Sequence, residues 1–263
     1  MVCLLYVCPM ARMLLIGAVL SLVAAAAFAE PRPVILDPGH GGKDLGAVRR
    51  SEQEKDLALA ITRKVRERLE RGGIPVRLTR DADVFIPLDQ RIQDSIDWGG
   101  AVFVSLHVNQ DRNRKAQGID VYAFGRASRR FSGRRHQHRL PVLPAPPRAA
   151  QEASAELASE LVHSLRSRGL HVDQPAKAGF YVLKNPAIPS VLIELGFLSN
   201  AGEAARLEDS AYQDTLADAI AASLRDHLAP MDLASRSNSG SGRADALRPR
   251  RTSGQTDLQL PQP

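Results

Sequence analysis

The feature of this sequence that most constrains its fold is the alternation of short apolar runs with longer amphipathic stretches. The short runs are rich in Val, Ile and Phe and span residues 34–36, 76–78, 101–106, 119–124, 180–183 and 191–195. Between them, large apolar residues recur at helical spacing, as at Leu57, Ile61, Val65 and Leu69, at Leu157, Leu161 and Leu165, and at Leu216, Ile220 and Leu224. The pattern predicts an α/β fold, with a single open, mostly parallel (mixed) sheet covered by helices on both faces.

The N-terminal segment, residues 1–29, has the layout of a cleavable signal peptide. Arg12 precedes an uncharged apolar run that starts at Met13, and Ala27-Phe28-Ala29 forms an A-x-A cleavage site before Glu30. A permanent membrane anchor is the alternative, because the apolar run approaches the length of a membrane span. We expect cleavage, export to the periplasm or to the extracellular space and cell wall, and no stable membrane insertion of the mature chain.

The two cysteines and the net charge narrow the class of protein further. Cys3 and Cys8 both lie in the N-terminal segment, so a mature chain has no disulfide, no cysteine zinc ligand and no cysteine nucleophile. The formal net charge of +6 suits binding to a polyanionic surface such as a cell wall. Nucleic acid is not expected as a partner, because an exported protein does not meet it.

We expect one catalytic domain at residues 30–229 and a disordered tail at residues 230–263. The tail is rich in Ser, Gly, Arg and Pro and lacks apolar periodicity. Residues 125–150 are predicted to be a surface insertion in the domain, because they contain seven arginines and four prolines. Since arginine binds carboxylate and phosphate in a bidentate manner, we expect this insertion to contact the anionic envelope, with a solvated loop without a role and a lid over a functional site as the alternatives.

Three polar residues stand at the predicted strand ends, where ligands of open α/β sheets gather. His40 follows the first strand in a glycine-rich turn, His107 ends the third, and Glu194 interrupts the last apolar run. An unpaired carboxylate there would be costly to bury. Taken singly, each histidine is explained by a structural hydrogen bond, and Glu194 by a buried arginine partner. Together at one sheet edge, they predict a functional site.

Glu54 has two interpretations from the local sequence. Residues 51–54 have the S-x-x-E form of a capping box, and a carboxylate in the first turn also complements the helix dipole. However, a helix that follows the first strand begins near the same sheet edge, so the Glu54 carboxylate can instead reach the histidines. The sequence by itself leaves helix capping and metal binding open.

Two imidazoles and one carboxylate are a ligand set used by catalytic zinc, with a further position left for water. Magnesium and calcium prefer shells made of oxygen alone. Copper and nickel accept the same ligand types as zinc. With the metal bound, Glu194 would be the general base that takes a proton from water and passes it to the leaving nitrogen.

Six motifs in order resemble those of zinc-dependent N-acetylmuramoyl-L-alanine amidases, the type 3 amidase family that includes enzymes of cell division. They are VILDPGHGGKD, EKDLALAI, LTRDADVFIPLDQR, VFVSLHVN, FYVLKNPAIPSVLIELGFLSN and AYQDTLADAIAASL, and the resemblance spans residues 33–228. It implies hydrolysis of the amide bond between N-acetylmuramic acid and L-alanine in peptidoglycan. It also implies one Zn²⁺ per chain, with His40, Glu54 and His107 as ligands and Glu194 as the catalytic glutamate.

The insertion departs from the family pattern. In division amidases the corresponding region often contains a helix that covers the zinc and supplies a blocking carboxylate, which an activator protein displaces. Residues 121–151 contain no Asp or Glu, so this segment is not expected to supply a blocking carboxylate. His136 and His138 are the side chains in it that could replace that carboxylate as a zinc ligand. The partners implied by the resemblance are peptidoglycan and an activator protein. We expect a monomer.

Two other functions remain open at this level. One is a different zinc hydrolase of peptidoglycan, a deacetylase or a peptidase, which would place another carbonyl over the same metal. The other is a wall-binding module without catalysis. A non-catalytic module would be expected to lack the base or one of the metal ligands, whereas His40, Glu54, His107 and Glu194 are all present in the sequence.

Overall fold

The computed structural model of the protein describes residues 31–126 and 142–241, with side chains described as far as residue 229. Its strands are β1 (Val34–Pro38), β2 (Val48–Arg49), β3 (Glu52–Gln53), β4 (Val76–Leu78), β5 (Val102–Asn109), β6 (Asp120–Phe124), β7 (Ala176–Ala178) and β8 (Ser190–Phe197). Its helices are α1 (Glu54–Arg71), α2 (Leu88–Asp97), α3 (Arg148–Ser167), α4 (Ala201–Glu208) and α5 (Ser210–Ser241), with a 3₁₀ turn at Tyr181–Leu183. Across the described ranges, no helix combines the length and the apolar character that a membrane span requires.

Six of the strands form one mixed sheet in the order β4-β1-β5-β8-β6-β7. β1 pairs in parallel with β4 and β5, β5 with β8, and β6 with β7, while β6 and β8 are antiparallel. The predicted open, mostly parallel sheet is therefore confirmed. β2 and β3 form a separate antiparallel hairpin just before α1.

Helices cover both faces of this sheet, as the sequence predicted. Successive strand residues point to opposite faces, so Val34 and Leu36 of β1 lie in one apolar core and Ile35 in the other. The larger core receives apolar side chains from α1, α3, α4 and α5. The smaller core is closed by the 3₁₀ turn, with Leu88 of α2 and Trp98 packed against it. β1 and β8 are buried along their whole length, which explains their continuous apolar sequences.

One predicted strand is wrong. Residues 180–183 form the 3₁₀ turn Tyr181–Leu183 rather than a strand, with the Leu183 amide donating to the Phe180 carbonyl at 3.2 Å. Val182 and Leu183 are apolar because the turn packs them into the smaller core. The edge strand at this position is β7, whose sequence Ala-Lys-Ala gives no apolar signal.

The structure also bears on the residues around the predicted domain boundaries. α5 continues through Ser241, past residue 230, where the tail was predicted to begin. α3 begins at Arg148, inside the predicted insertion, and residues 142–147 form no regular structure. Residues 1–30, which contain the predicted signal peptide, residues 127–141, which contain His136 and His138, and residues 242–263 lie outside the described residues.

Candidate metal centre and active site

Three of the four predicted site residues meet at the sheet edge where β1 and β5 end. His40 lies in the turn after β1, Glu54 is the first residue of α1, and His107 lies near the end of β5. One donor atom from each lies within 4.8 Å of the other two, and these three form the one such group among the described residues. The imidazole centroids are 4.8 Å apart, and the rings meet nearly edge to face.

The Glu54 carboxylate is the centre of this cluster. Its Oε1 lies 3.0 Å from Nε2 of His40 and 2.8 Å from Nδ1 of His107. Backbone amides fix both oxygens, because Val108 N donates to Oε1 at 3.1 Å and Ala47 N donates to Oε2 at 2.7 Å. The side chain is thereby held in one orientation, towards the histidines.

The capping interpretation of Glu54 is wrong. The N-cap of α1 is Gln53, which makes no side-chain capping bond, and the Ser51 hydroxyl donates to Glu52 rather than capping the helix. Glu54 itself is only 5% exposed. A first-turn carboxylate that would ordinarily lie in solvent is instead buried against two imidazoles.

The backbone around His40 and Glu54 requires glycine at two places. A Cβ at Gly39 would lie 2.4 Å from Cε1 of His107, and a Cβ at Gly46 would lie 2.5 Å from Oε2 of Glu54. His40 itself has a φ of 60°, in the left-handed region that side chains other than glycine rarely adopt. The turn therefore has a strained backbone at His40 and glycine at positions 39 and 46, and this conformation brings the three donor atoms together.

Asp44 is a member of the site that the sequence analysis did not identify. Its Oδ2 lies 2.9 Å from Nδ1 of His40, on the opposite side of the ring from Glu54. Metal-binding histidines commonly donate their second ring nitrogen to a carboxylate, which fixes the tautomer and the ring orientation. An acidic residue four positions after the histidine in a glycine-rich turn was the available signal.

The electrostatics of the cluster follow from these contacts. Burial alone would lower the pKa of His40, but hydrogen bonds to Asp44 and Glu54 outweigh it and raise that pKa to about 10. Burial would raise the pKa of Glu54, yet His107 and His40 hold it well below its usual value. The buried Glu54 carboxylate therefore stabilises positive charge beside it, as is expected of a residue that binds a cation.

Glu194 lies beside this cluster. It is the Cα partner of His107 across β5 and β8 and of Asp120 across β6 and β8. It is 8% exposed, and its Oε2 has no hydrogen-bond partner among the described residues. Burial, together with the negative charges of Glu54 and Asp120, raises the pKa of Glu194 well above its usual value, against the opposing effect of His40.

Asp120 was also missed by the sequence analysis. The Tyr122 hydroxyl donates to its Oδ2 at 3.3 Å, and the Asn109 amide lies at 3.4 Å from the same oxygen. Its position opposite Glu194 depends on the antiparallel pairing of β6 with β8, which periodicity in the sequence does not reveal.

Comparison with known proteins agrees with this arrangement. The Amidase_3 family of N-acetylmuramoyl-L-alanine amidases matches residues 34–226, the stretch that contains all four site residues. The chain belongs to this amidase family. Among curated relatives, the amidase is 34% identical to AmiA of Salmonella typhimurium over 213 residues, covering 72% of this chain and 74% of AmiA. It is 33% identical to AmiA of Escherichia coli K12 over the same length and coverage.

Solved structures of amidases are also similar to this chain in fold. An N-acetylmuramoyl-L-alanine amidase from Clostridium difficile 630 matches with a TM-score of 0.64 and 28% identity, covering 76% of this chain and 98% of that one. The CwlD amidase of Clostridioides difficile, solved in complex with the GerS lipoprotein, matches with a TM-score of 0.57 and 30% identity. That match covers 76% of this amidase and 100% of CwlD.

The donor set of this amidase fits zinc. Two imidazole nitrogens and one carboxylate oxygen converge from three different segments, and such mixed N/O sets suit zinc better than magnesium or calcium. His107 packs closely against Gly39 and Glu54 against Gly46, and backbone amides hold both oxygens of the Glu54 carboxylate. His40, Glu54 and His107 are therefore a candidate site for a small cation.

Proposed function

We propose that this protein is a zinc-dependent cell-wall hydrolase that cleaves the amide bond between N-acetylmuramic acid and L-alanine in peptidoglycan. One observation carries the proposal. In a chain of the amidase family, His40, Glu54 and His107 place their donor atoms within 4.8 Å of one another, and Glu194 lies beside them in sheet register. We assign one zinc ion per chain to the three donors.

The residues of the site divide the chemistry between them. Zinc held here would polarise the scissile carbonyl and lower the pKa of a water molecule towards about 7. Glu194 would accept the proton of that water and donate it to the leaving nitrogen. Burial raises the pKa of Glu194 above its usual value, and a more basic carboxylate is a better acceptor for that proton.

Asp44 and the backbone amides would keep the ligands in place during this reaction. The Asp44 carboxylate, 2.9 Å from Nδ1 of His40, would favour the orientation of the ring in which Nε2 faces the metal. The amides of Ala47 and Val108 hold both oxygens of Glu54, so its carboxylate need not reorganise when the cation binds. The site is therefore largely formed before the metal arrives.

The remaining features of the chain fit an exported enzyme. We propose that residues 1–29 are removed as a signal peptide, and that residues 30–229 form the catalytic domain. We further propose that residues 125–150 are an insertion in that domain and that residues 230–263 are a tail. We place the mature monomer in the periplasm or at the cell wall.

An activator protein is a further proposed partner. The structural neighbour CwlD was solved with the GerS lipoprotein, which supports binding of a protein partner by an amidase of this fold. In this chain, residues 121–151 contain no acidic side chain. Any control exerted through that segment would therefore not use a blocking carboxylate.

Digestion of purified peptidoglycan with and without a zinc chelator tests the proposal, with the products identified by mass. An amidase releases stem peptides that begin at L-alanine and leaves the glycan strands N-acetylated. A deacetylase would instead shift the glycan mass by one acetyl group, and a peptidase would cut within the stem. A binding module would give no products, and activity that persists after complete removal of zinc would contradict the metal assignment.

A further inference from the structure

Two arginines are buried beneath the turn that contains His40. Arg80 follows β4 and is 3% exposed, and Arg91 lies in α2 and is 1% exposed. We call these two residues the buried arginine pair. Burial of a guanidinium group is unfavourable, and arginine is almost never fully buried unless its donors are satisfied.

The buried arginine pair donates to three successive backbone carbonyls of the ligand turn. Arg80 donates to Pro38 O at 3.0 Å and to Gly39 O at 2.7 Å. Arg91 donates to Pro38 O at 2.8 Å and to His40 O at 2.7 Å. Every carbonyl from the end of β1 to the first proposed zinc ligand is thus held by a guanidinium group.

The same pair reaches a second ligand segment. Nη2 of Arg80, which donates to Gly39 O, also donates to Lys55 O at 2.8 Å, one residue after Glu54. A single nitrogen therefore joins the His40 turn to the start of α1. Loss of this guanidinium geometry would free the two segments to move relative to each other.

Asp37 compensates the buried charge and extends the network to the third segment. Arg91 and Thr79 both donate to its Oδ1 at 2.6 Å, and the Ser105 hydroxyl donates to its Oδ2 at 2.6 Å. Ser105 lies in β5, two residues before His107. The network consequently contacts all three segments that supply the proposed ligands.

The left-handed backbone of His40 shows why such a network would be needed. A φ of 60° at a histidine costs free energy and persists only where the surroundings over-determine it. We propose that the buried arginine pair positions His40 and Glu54 for zinc, because its contacts hold the turn carbonyls away from the metal side and fix the separation of the two ligands. This inference rests on the proposed zinc site and assigns positioning roles, since neither arginine forms a hydrogen bond or ion pair with the ligand side chains in the described residues.

Arg91→Lys and Arg80→Lys test the inference. Lysine retains the charge but loses the planar fork that contacts two carbonyls at once. We expect each variant to bind zinc about 10- to 100-fold more weakly in competition with a chelator, as is typical when residues that orient metal ligands are changed. The zinc-induced rise in Tm should shrink accordingly. In zinc-saturated protein, kcat should fall while KM for a soluble muropeptide stays near its wild-type value.

Arg68→Lys is the matched control. Arg68 is another poorly exposed arginine that pairs with two carboxylates, Asp214 and Asp218, but it joins α1 to α5 and contacts no ligand-bearing turn. This variant should lower Tm without changing zinc affinity. Should Arg91→Lys fail to fold, Arg80→Lys still decides the matter, because Arg80 makes no ion pair with Asp37 among the described contacts.

The outcomes separate this inference from the proposed function. If both variants lose thermal stability but bind zinc as tightly as the wild-type protein, the pair stabilises the fold alone and the inference is wrong. If the wild-type protein itself binds no zinc, the proposed zinc site fails, whatever the arginine variants do. If zinc affinity falls in both variants and not in Arg68→Lys, the positioning role stands.

Discussion

Glu194 and His107 are Cα partners in the neighbouring parallel strands β8 and β5, so the pairing of two strands places the proposed base beside a proposed metal ligand. Side chains alternate between faces along a strand, and a slip of one residue would turn Glu194 to the opposite face. The apolar residues on either side of Glu194, Ile193 and Leu195, prevent that slip because both are buried in the larger core. Packing of the core therefore determines the geometry of the site.

The first prediction concerns the metal. His40→Ala and His107→Ala should each abolish stoichiometric zinc binding, because each removes one of three converging donors. Metal analysis of protein purified without chelator measures the effect, with the wild-type protein expected to contain one zinc per chain. A wild-type preparation that lacks zinc and still cleaves peptidoglycan would rule out the assignment.

The second prediction concerns Glu194→Gln. The amide is nearly the same size but cannot accept a proton, so activity should fall by about 10² to 10⁴. Zinc content and fold should be retained, since Glu194 is not one of the three clustered donors. Turnover of a soluble muropeptide and metal analysis measure the two effects, and activity within about threefold of wild type would remove Glu194 from the role of base.

The third prediction uses the space around the ligands. Gly39→Ala would place a methyl group 2.4 Å from the His107 ring, and the ring must move to relieve the overlap. Because displacement of a catalytic group by about 1 Å can cost on the order of 10²-fold, we expect a loss of that size in kcat/KM. Gly179→Ala is the control, since the atom nearest to its added Cβ is 4.0 Å away. Equal activity of the two variants would show that the His107 ring position is not critical.

The fourth prediction concerns acid stability. Burial alone would raise the pKa of Asp37, but Arg91, Ser105 and Thr79 outweigh burial and lower it below the usual value. A depressed pKa contributes stability above the unfolded value of about 3.9, and this contribution is lost as the pH falls through the folded value. Asp37→Asn should therefore destabilise the protein by about 3–5 kcal/mol at pH 7, since it leaves Arg91 buried without its partner.

Urea unfolding at pH 7 and at pH 3 measures this difference, which should be smaller at the lower pH. Asp81→Asn provides the comparison, because Asp81 pairs with Arg63 and Arg66 at the surface. Exposed pairs of this kind contribute about 0–1 kcal/mol. A difference between wild type and Asp37→Asn that does not depend on pH would contradict the ionised Asp37 inferred from its contacts.

The parts of the fold that could be predicted from sequence are those with local signals. β1, β5 and β8 are buried on both faces, and their continuous apolar runs indicate this directly. The residue types of His40, His107 and Glu194 then stand out, because each is polar at the end or in the middle of an apolar run. Their convergence follows from the common edge of a parallel sheet.

The parts that could not be predicted depend on contacts between distant segments. Apolar residues at 180–183 are compatible with a strand or with a buried turn, and only packing against the sheet decides between them. The same holds for Glu54, because the position of Gln53 as N-cap directs its carboxylate towards the histidines instead of the helix amides. In the sequence, Arg80 and Arg91 resemble ordinary surface charges, and only the structure shows that they donate to backbone carbonyls of the turn.

The site has one consequence for folding. Its four main residues lie between positions 40 and 194, and they meet only when β1, β5 and β8, which are far apart in the chain, have paired. Such non-local pairing requires closure of long loops and is therefore slow to form. A nascent or partly folded chain has separate ligands and no base beside them, so hydrolytic competence would appear only once the central sheet is complete. Recovery of activity would accordingly report completion of the central sheet rather than an early step of refolding.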